Sequence, residues 1–79
     1  MHTTIHYFGM LAERAGLACE RISAARGGTL ADLRAHVLQR HPALAGHTFR
    51  MALNRKLADD HSPWHPGDEV ALLPPFAGG

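Results

Sequence analysis

The chain has 79 residues, of which 46% are hydrophobic, and its formal net charge is +1 when the histidines are neutral. This length supports one small domain with a single core and leaves little room for a deep catalytic pocket. The near-zero charge gives no indication of a nucleic-acid partner, and the apolar runs are too short for a signal peptide or a membrane span. One cysteine, Cys19, cannot form an internal disulfide, which favours a reducing, cytoplasmic location.

The first strand is predicted at residues 3–8, where apolar and aromatic residues alternate with polar ones. The alternation places Ile5 and Tyr7 on one face. Phe8 falls on the opposite face, where two interpretations stay open. It is either an exposed contact for a partner protein or part of a second packed layer of the domain's own core.

A helical turn and a second strand follow. Residues 10–15 can form the turn, and Gly16 is a suitable place for it to end. Residues 18–23 alternate again and predict a strand. On that strand we interpret Cys19 as a small packing residue rather than a reactive thiol.

The clearest helix begins after a break at residues 27–28, both glycine. Thr29 is a good N-cap, and Asp32 lies where a capping box places an acid, which also favours the positive end of the helix dipole. Pro42 ends the helix at or before His41. The apolar positions that share one stripe of this helix are Leu30, Leu33, Val37 and Leu38.

Three shorter strands are predicted in the second half of the chain. The alternation of apolar residues places them at 49–54, 57–58 and 69–73. A turn at 54–56 joins the first two. The stretch 59–67, with two prolines, is expected to form a loop that ends in a Gly-Asp turn.

The predicted order β-β-α-β-β-β describes a single domain over residues 1–79. Its compact solution is an α+β fold in which one crossover helix packs on a mixed sheet, a β-grasp or ubiquitin-like arrangement. The last strand is expected to lie centrally, beside the first. We expect Leu33→Ala to remove a large part of the stability of so small a domain.

A thin arm follows the last strand. It consists of Pro74, Pro75, Phe76, Ala77, Gly78 and Gly79. The prolines bias it toward extended backbone, and the two glycines let it enter a narrow site and present a carboxylate there. Six extended residues reach about 20 Å. Phe76 suits a partner's apolar groove, or it folds back onto the domain's own core; a flexible end without function is the remaining alternative.

The run Gly-Asp-Glu-Val-Ala-Leu-Leu-Pro-Pro-Phe-Ala-Gly-Gly at residues 67–79 closely resembles the C-terminus of the molybdopterin synthase small subunit family. The resemblance covers essentially the whole chain. Further matching segments are Tyr7-Phe8-Gly9 with Leu11 and Glu13, Thr29-Leu30 with Leu33, and Ala52-Leu53-Asn54. Two features depart from the family pattern: Ala12 precedes Glu13 and Arg14 follows it, and Trp64 stands before the Gly-Asp turn.

The resemblance implies a sulfur carrier rather than an enzyme. Gly79 would be adenylated, with ATP consumed by an activating enzyme related to ubiquitin-activating enzymes, and would then become a thiocarboxylate by reaction with a sulfur donor. The large synthase subunit, with which the family forms a heterotetramer, would use the sulfur to build a pterin dithiolene. No permanently bound cofactor is implied. The tail from Pro74 to Gly78, together with Phe8, would contact these partners.

Two other functions remain open. One is a sulfur carrier for thiamine or another sulfur-containing metabolite, although the thiamine carrier usually lacks the paired prolines. The other is a ubiquitin-like modifier, which would use the same activation of Gly79 but end as an amide on lysine. Lys56 is the one lysine that the chain offers for self-conjugation.

The remaining polar residues suggest no chemistry of their own. Seven histidines raise the question of a metal, yet Pro63 separates His61 from His65 and prevents the helical spacing of a zinc pair, so no metal site is expected. A small acidic set either meets a basic partner surface or is simply solvated. It comprises Asp59, Asp60, Asp68 and Glu69.

Overall fold

The computed structural model describes residues 2–23 and 26–75. Its strands are β1 (His2–Tyr7), β2 (Cys19–Ser23), β3 (Gly28–Thr29), β4 (Arg50–Leu53), β5 (Lys56–Ala58), β6 (Pro63–Trp64) and β7 (Glu69–Leu73). Its helices are α1 (Met10–Ala15), α2 (Leu30–Arg40) and a short 3-10 helix at Pro42–Leu44. At the majority of strand ends the observed bound differs from the predicted one by about one residue, as expected for bounds read from alternation.

Local signals set both ends of α2 and the C-terminal end of α1. In α2 the Oγ1 of Thr29 accepts a hydrogen bond from the backbone N–H of Asp32, and the Asp32 carboxylate accepts one from the N–H of Thr29, each at 3.3 Å. This is the predicted capping box. The helix stops at Arg40, before Pro42, as predicted. Helix α1 stops at Gly16, which adopts a left-handed φ of 84°.

The main sheet has five strands in the order β2-β1-β7-β4-β5. β1 and β7 run parallel and every other neighbouring pair in it is antiparallel. The last strand therefore lies centrally beside the first, which confirms the predicted β-grasp arrangement. A separate two-stranded sheet pairs β3 with β6.

Helix α2 packs on one face of the main sheet, which we call the covered face. It carries the alternate residues Ile5, Val70 and Leu72, all 0% exposed. The helix contributes its own buried stripe, Leu30, Leu33 and Val37, to the same core. The opposite face, which we call the open face, carries the residues between them. Of the helices in the described residues, none is long and apolar enough to span a bilayer.

Two predictions about single residues or segments are wrong. Cys19 is exposed rather than packed, because it lies directly opposite His6 on the open face of the edge strand β2. The predicted loop at 59–67 contains β6, and Trp64 in that strand is a core residue, 7% exposed. Gly27 permits this packing, since a Cβ there would lie 1.7 Å from the Trp64 carbonyl oxygen.

Candidate functional site

The open face presents a row of aligned side chains across the sheet, three of them apolar and the fourth a histidine. Strand pairing aligns Leu57 with Ala52, Ala52 with Ala71, and Ala71 with His6. Because side chains alternate between faces along each strand, all four project on the side opposite α2. The row crosses four adjacent strands, from the edge strand β5 through β4 and β7 to β1.

A groove of about 430 Å³ lies on this surface. Phe8 and Leu57 border it and are 48% and 55% exposed, so together they form an exposed apolar patch. The groove is lined by His6, Phe8, Ala52, Arg55, Leu57, Glu69, Ala71 and Leu73. A concave apolar surface with a few polar groups is typical of a binding site.

Phe8 is fixed in place by its backbone while its ring stays exposed. Its N–H donates to the carbonyl of Leu72 at 3.2 Å, and its carbonyl accepts from the N–H of Leu11 at 3.1 Å. The interpretation that Phe8 packs in a second layer of the core is wrong, since nearly half of the residue is exposed. The partner-contact interpretation stays a prediction.

A charged edge closes one side of the groove. The Glu69 carboxylate lies 3.3 Å from Nε2 of His6 and 3.6 Å from Nε of Arg55. Both basic residues and the acid are partly or fully exposed, so these pairs contribute little to stability. They give the groove a polar border that can set the orientation of a bound chain.

Two other acids of the predicted set are engaged within the domain. Asp60 pairs with Arg34 at 3.1 Å. Asp68 accepts from the backbone N–H of His65 at 2.8 Å and from the Asn54 amide at 3.2 Å. The hydrogen bond from His65 holds the pKa of the Asp68 carboxyl below its usual value. Asp68 thus serves the turn before β7, as a turn residue should.

The tail leaves the sheet beside this groove. β7 ends at Leu73, which lines the groove, and the chain continues into Pro74 and Pro75. Pro74 is half-buried against Gly9, and Pro75 is exposed. The predicted roles of residues 76–79 lie outside the described residues and stay predictions.

Sequence reasoning missed a second cluster, which lies on the covered side around Glu20. The Glu20 carboxylate accepts from the Tyr7 hydroxyl at 2.6 Å and from Arg40 at 2.7 Å, and Nε2 of His41 contacts it at 2.6 Å. These residues are far apart in sequence, so no local pattern could have revealed the cluster. It ties β1 and β2 to the C-terminal end of α2.

Burial and hydrogen bonding act in opposite directions on Glu20. Burial raises the pKa of its carboxyl, but hydrogen bonds from Arg40, Tyr7 and His41 outweigh burial and lower the pKa to about 2. The pKa of Tyr7 is raised by burial and by the neighbouring Glu20 carboxylate. The cluster is a structural clamp, because Tyr7, Arg40 and His41 all bond to the one Glu20 carboxylate.

Within residues 2–23 and 26–75, no three His, Cys, Asp or Glu side chains are placed to hold a metal ion together. The chemistry that the open face offers is recognition: an apolar groove, a charged border and an adjacent chain exit.

Comparison with known proteins places this geometry in context. The model of the ThiS family matches residues 5–79. A molybdopterin synthase sulfur carrier subunit from Chlamydomonas reinhardtii is 34% identical over 83 aligned residues, covering 100% of both chains.

Solved structures share the fold. The small archaeal modifier protein 1 of Haloferax volcanii superimposes with a TM-score of 0.83 at 27% identity, covering 95% of this chain and 98% of that one. A chain in the complex of subunits 1 and 2 of the molybdopterin-converting factor from Helicobacter pylori matches with a TM-score of 0.67 at 32% identity, covering 100% of both.

Proposed function

The chain belongs to the ThiS family, and we propose that it is the sulfur carrier subunit of a molybdopterin synthase. The observation that carries the proposal is the match over full length to a subunit of that name at 34% identity. The topology supports it, because the central strand β7 leads directly into Pro74 beside the apolar groove. The related Helicobacter pylori chain is solved with a second subunit of its converting factor.

In this proposal Gly79 is the reacting residue, and its carboxyl group must be free. A carboxylate with a pKa of about 3.5 is an anion at neutral pH and a poor electrophile. An activating enzyme therefore joins it to AMP from ATP, with release of pyrophosphate. A sulfur donor then displaces AMP and leaves a thiocarboxylate, whose anionic sulfur is a nucleophile.

The domain itself supplies binding and not catalysis. We propose that the open-face groove, with Phe8 at its border, docks the proteins that act on Gly79. Phe76 would add an apolar anchor, and Pro74, Pro75, Ala77 and Gly78 would form the thin arm. The large synthase subunit performs the sulfur transfer to the pterin precursor. We place these steps in the cytoplasm, in keeping with the single cysteine.

The test is the intact mass of the protein after incubation with the activating enzyme, ATP and a sulfide donor. We expect a species in which one sulfur replaces one oxygen, and we expect that species to be lost when Gly79 is deleted. The deletion should leave the unfolding midpoint unchanged, because β7 ends at Leu73. Absence of the sulfur-containing species from the full-length protein contradicts the proposal.

A second candidate is a ubiquitin-like modifier, favoured by the likeness to the small archaeal modifier protein 1. Both functions need activation of Gly79, but the products of the two reactions differ. A modifier forms an amide with a lysine of another protein, which is stable to thiols and adds the mass of the whole chain to the target. A carrier releases its sulfur and returns to the carboxylate. Mass spectrometry of protein adducts from the native cell distinguishes them.

A further inference from the structure

We propose that Gly9 is a positioning residue for sulfur transfer, because it leaves the space in which Pro74 lies and so sets the direction in which the tail leaves β7. This inference rests on the proposed sulfur-carrier function. It concerns how the arm is aimed and involves no chemistry at Gly9 itself.

The contact between Gly9 and Pro74 is close. A Cβ at Gly9 would lie 3.2 Å from Cγ and 4.0 Å from Cδ of the Pro74 ring. A separation of 3.2 Å is tighter than nine in ten Cβ contacts, so a side chain there would push on the ring. Gly9 also has φ 58° and ψ −135°, a backbone conformation that residues with a side chain rarely adopt. Only glycine satisfies both conditions without strain.

The turn that carries Gly9 is anchored and cannot easily recede. The Phe8 N–H donates to the Leu72 carbonyl at 3.2 Å, and the Gly9 carbonyl accepts from the N–H of Ala12 at 3.1 Å. The next residue but one, Leu11, is 1% exposed in the core. Pro74, in contrast, lies beyond the last strand and is the partner with room to move. A side chain at Gly9 would therefore displace the tail rather than the turn.

Displacement at Pro74 has a large effect at the far end of the arm. Five residues from 75 to 79 span at most about 17 Å when extended in a partner's channel. Any change of direction at Pro74 is therefore carried to a tip that lies up to about 17 Å away. Misplacement of a reacting group by about 1 Å can slow a reaction by about a hundredfold. Docking at the groove does not depend on the direction of the tail, which adds only Phe76 as a further anchor, so transfer should fall much more than binding.

The test measures sulfur transfer from the thiocarboxylated full-length protein to the pterin precursor by the large synthase subunit. We expect Gly9→Ala to lower the single-turnover rate by at least about tenfold at saturating carrier, with KM for the carrier nearly unchanged. The control is Gly16→Ala. Gly16 has φ 84° and ψ 12°, a left-handed helical conformation that a residue with a side chain tolerates better than the conformation of Gly9, and a Cβ there meets no atom within 4 Å. This variant therefore introduces a milder backbone strain without the contact, and the Pro74→Ala background tests the contact itself.

A second pair of variants keeps the test informative if Gly9→Ala fails to fold. Pro74→Ala removes the ring that touches Gly9, while Pro75→Ala removes an exposed proline of the same arm. We expect Pro74→Ala to slow transfer several-fold more than Pro75→Ala, and Gly9→Ala to have little further effect in the Pro74→Ala background. The inference would be overturned if the two proline variants lowered the transfer rate equally. It would also be overturned if Gly9→Ala lowered the rate as much in the Pro74→Ala background as in the wild-type background.

The outcomes also separate this inference from the proposed function. If wild-type thiocarboxylated protein transfers no sulfur to the pterin precursor, the proposed function is wrong. If wild type transfers sulfur and Gly9→Ala transfers it at the same rate as Gly16→Ala, the function stands and the positioning role of Gly9 is wrong.

Discussion

The two faces of the main sheet are built from the same strands and do different work. On β7, Val70 and Leu72 are fully buried against α2, whereas Ala71 and Leu73 line the groove of the open face. Phe8 and Leu57 are about half exposed on the open face, whereas the large side chains of the covered face are buried. One residue's step along a strand therefore separates a side chain that stabilises the fold from one available for recognition.

This arrangement suits a carrier that must meet more than one partner. The covered face gives the domain its stability without help from a partner. The open face and the tail can then be exposed, docked and released while the fold stays intact. Matched substitutions on the two faces test this division of roles.

The largest effect is expected from Leu33→Ala on the covered face. Leu33 is 2% exposed, so the change leaves a cavity in the core and should lower the free energy of unfolding by about 2–5 kcal/mol. The same truncation at Leu57, which is 55% exposed on the open face, should lower it by about 0.5 kcal/mol or less. Urea denaturation monitored by the one tryptophan, Trp64, measures both.

The contrast between these two leucines tests the assignment of the faces directly. Similar losses of unfolding free energy from Leu33→Ala and Leu57→Ala would mean that the open face is also part of the core. A small loss from Leu33→Ala would show that α2 does not pack as described.

An intermediate effect is expected from Glu20→Gln, which weakens the clamp on the covered side. The carboxylate accepts hydrogen bonds from charged and neutral donors and is only 11% exposed, so the change should cost about 1–3 kcal/mol of unfolding free energy at pH 7. The exposed residue Glu13 offers a matched control, and Glu13→Gln should change stability by less than about 0.5 kcal/mol.

The same clamp predicts a dependence on acid. The folded-state pKa of Glu20 is about 2, below its ordinary value of 4.5. Its contribution to stability is therefore full above the unfolded-state pKa, and it is lost as the pH falls from about 5 toward 2. Over that window Glu20→Gln should lose less unfolding free energy than wild type. Parallel pH profiles for the two proteins would contradict the clamp.

The smallest effect is expected on the open face, where Phe8→Ala should leave stability nearly unchanged and weaken partner binding. A central aromatic contact contributes about 1–2 kcal/mol of binding free energy, so Kd for the activating enzyme should rise about fivefold to thirtyfold. Met10 is 42% exposed but lies outside the groove lining. Met10→Ala should bind as wild type does, and equal effects of the two variants would exclude the groove as the docking site.

Much of the fold could be predicted because its signals are local. The capping pair Thr29 and Asp32 set the start of α2, Gly16 set the end of α1, and the alternation in residues 69–73 set the last strand. The central position of that strand followed from the number and order of elements. The role of Gly79 rests on the terminal sequence alone and stays a prediction.

The parts that could not be predicted depend on contacts between distant residues. Trp64 looked like a loop residue because two prolines surround it, and only pairing with Gly28 makes it part of a strand and of the core. Cys19 was misplaced because alternation gives two faces without saying which one is covered. Glu20 meets His41 only after the sheet and α2 have come together, so nothing in its neighbourhood indicated the clamp.

The parallel pairing of β1 with β7 has a mechanical consequence. The start of β1 and the end of β7 lie at opposite ends of the sheet, and the register runs from Thr4 with Glu69 to Tyr7 with Leu72. Tension between these two ends loads the hydrogen bonds between the strands in shear, all of them together, whereas a pulled hairpin breaks its bonds one after another. Under the proposed function, a pull on the tail would load β7 in this way, and the strand would resist that pull better than a hairpin would.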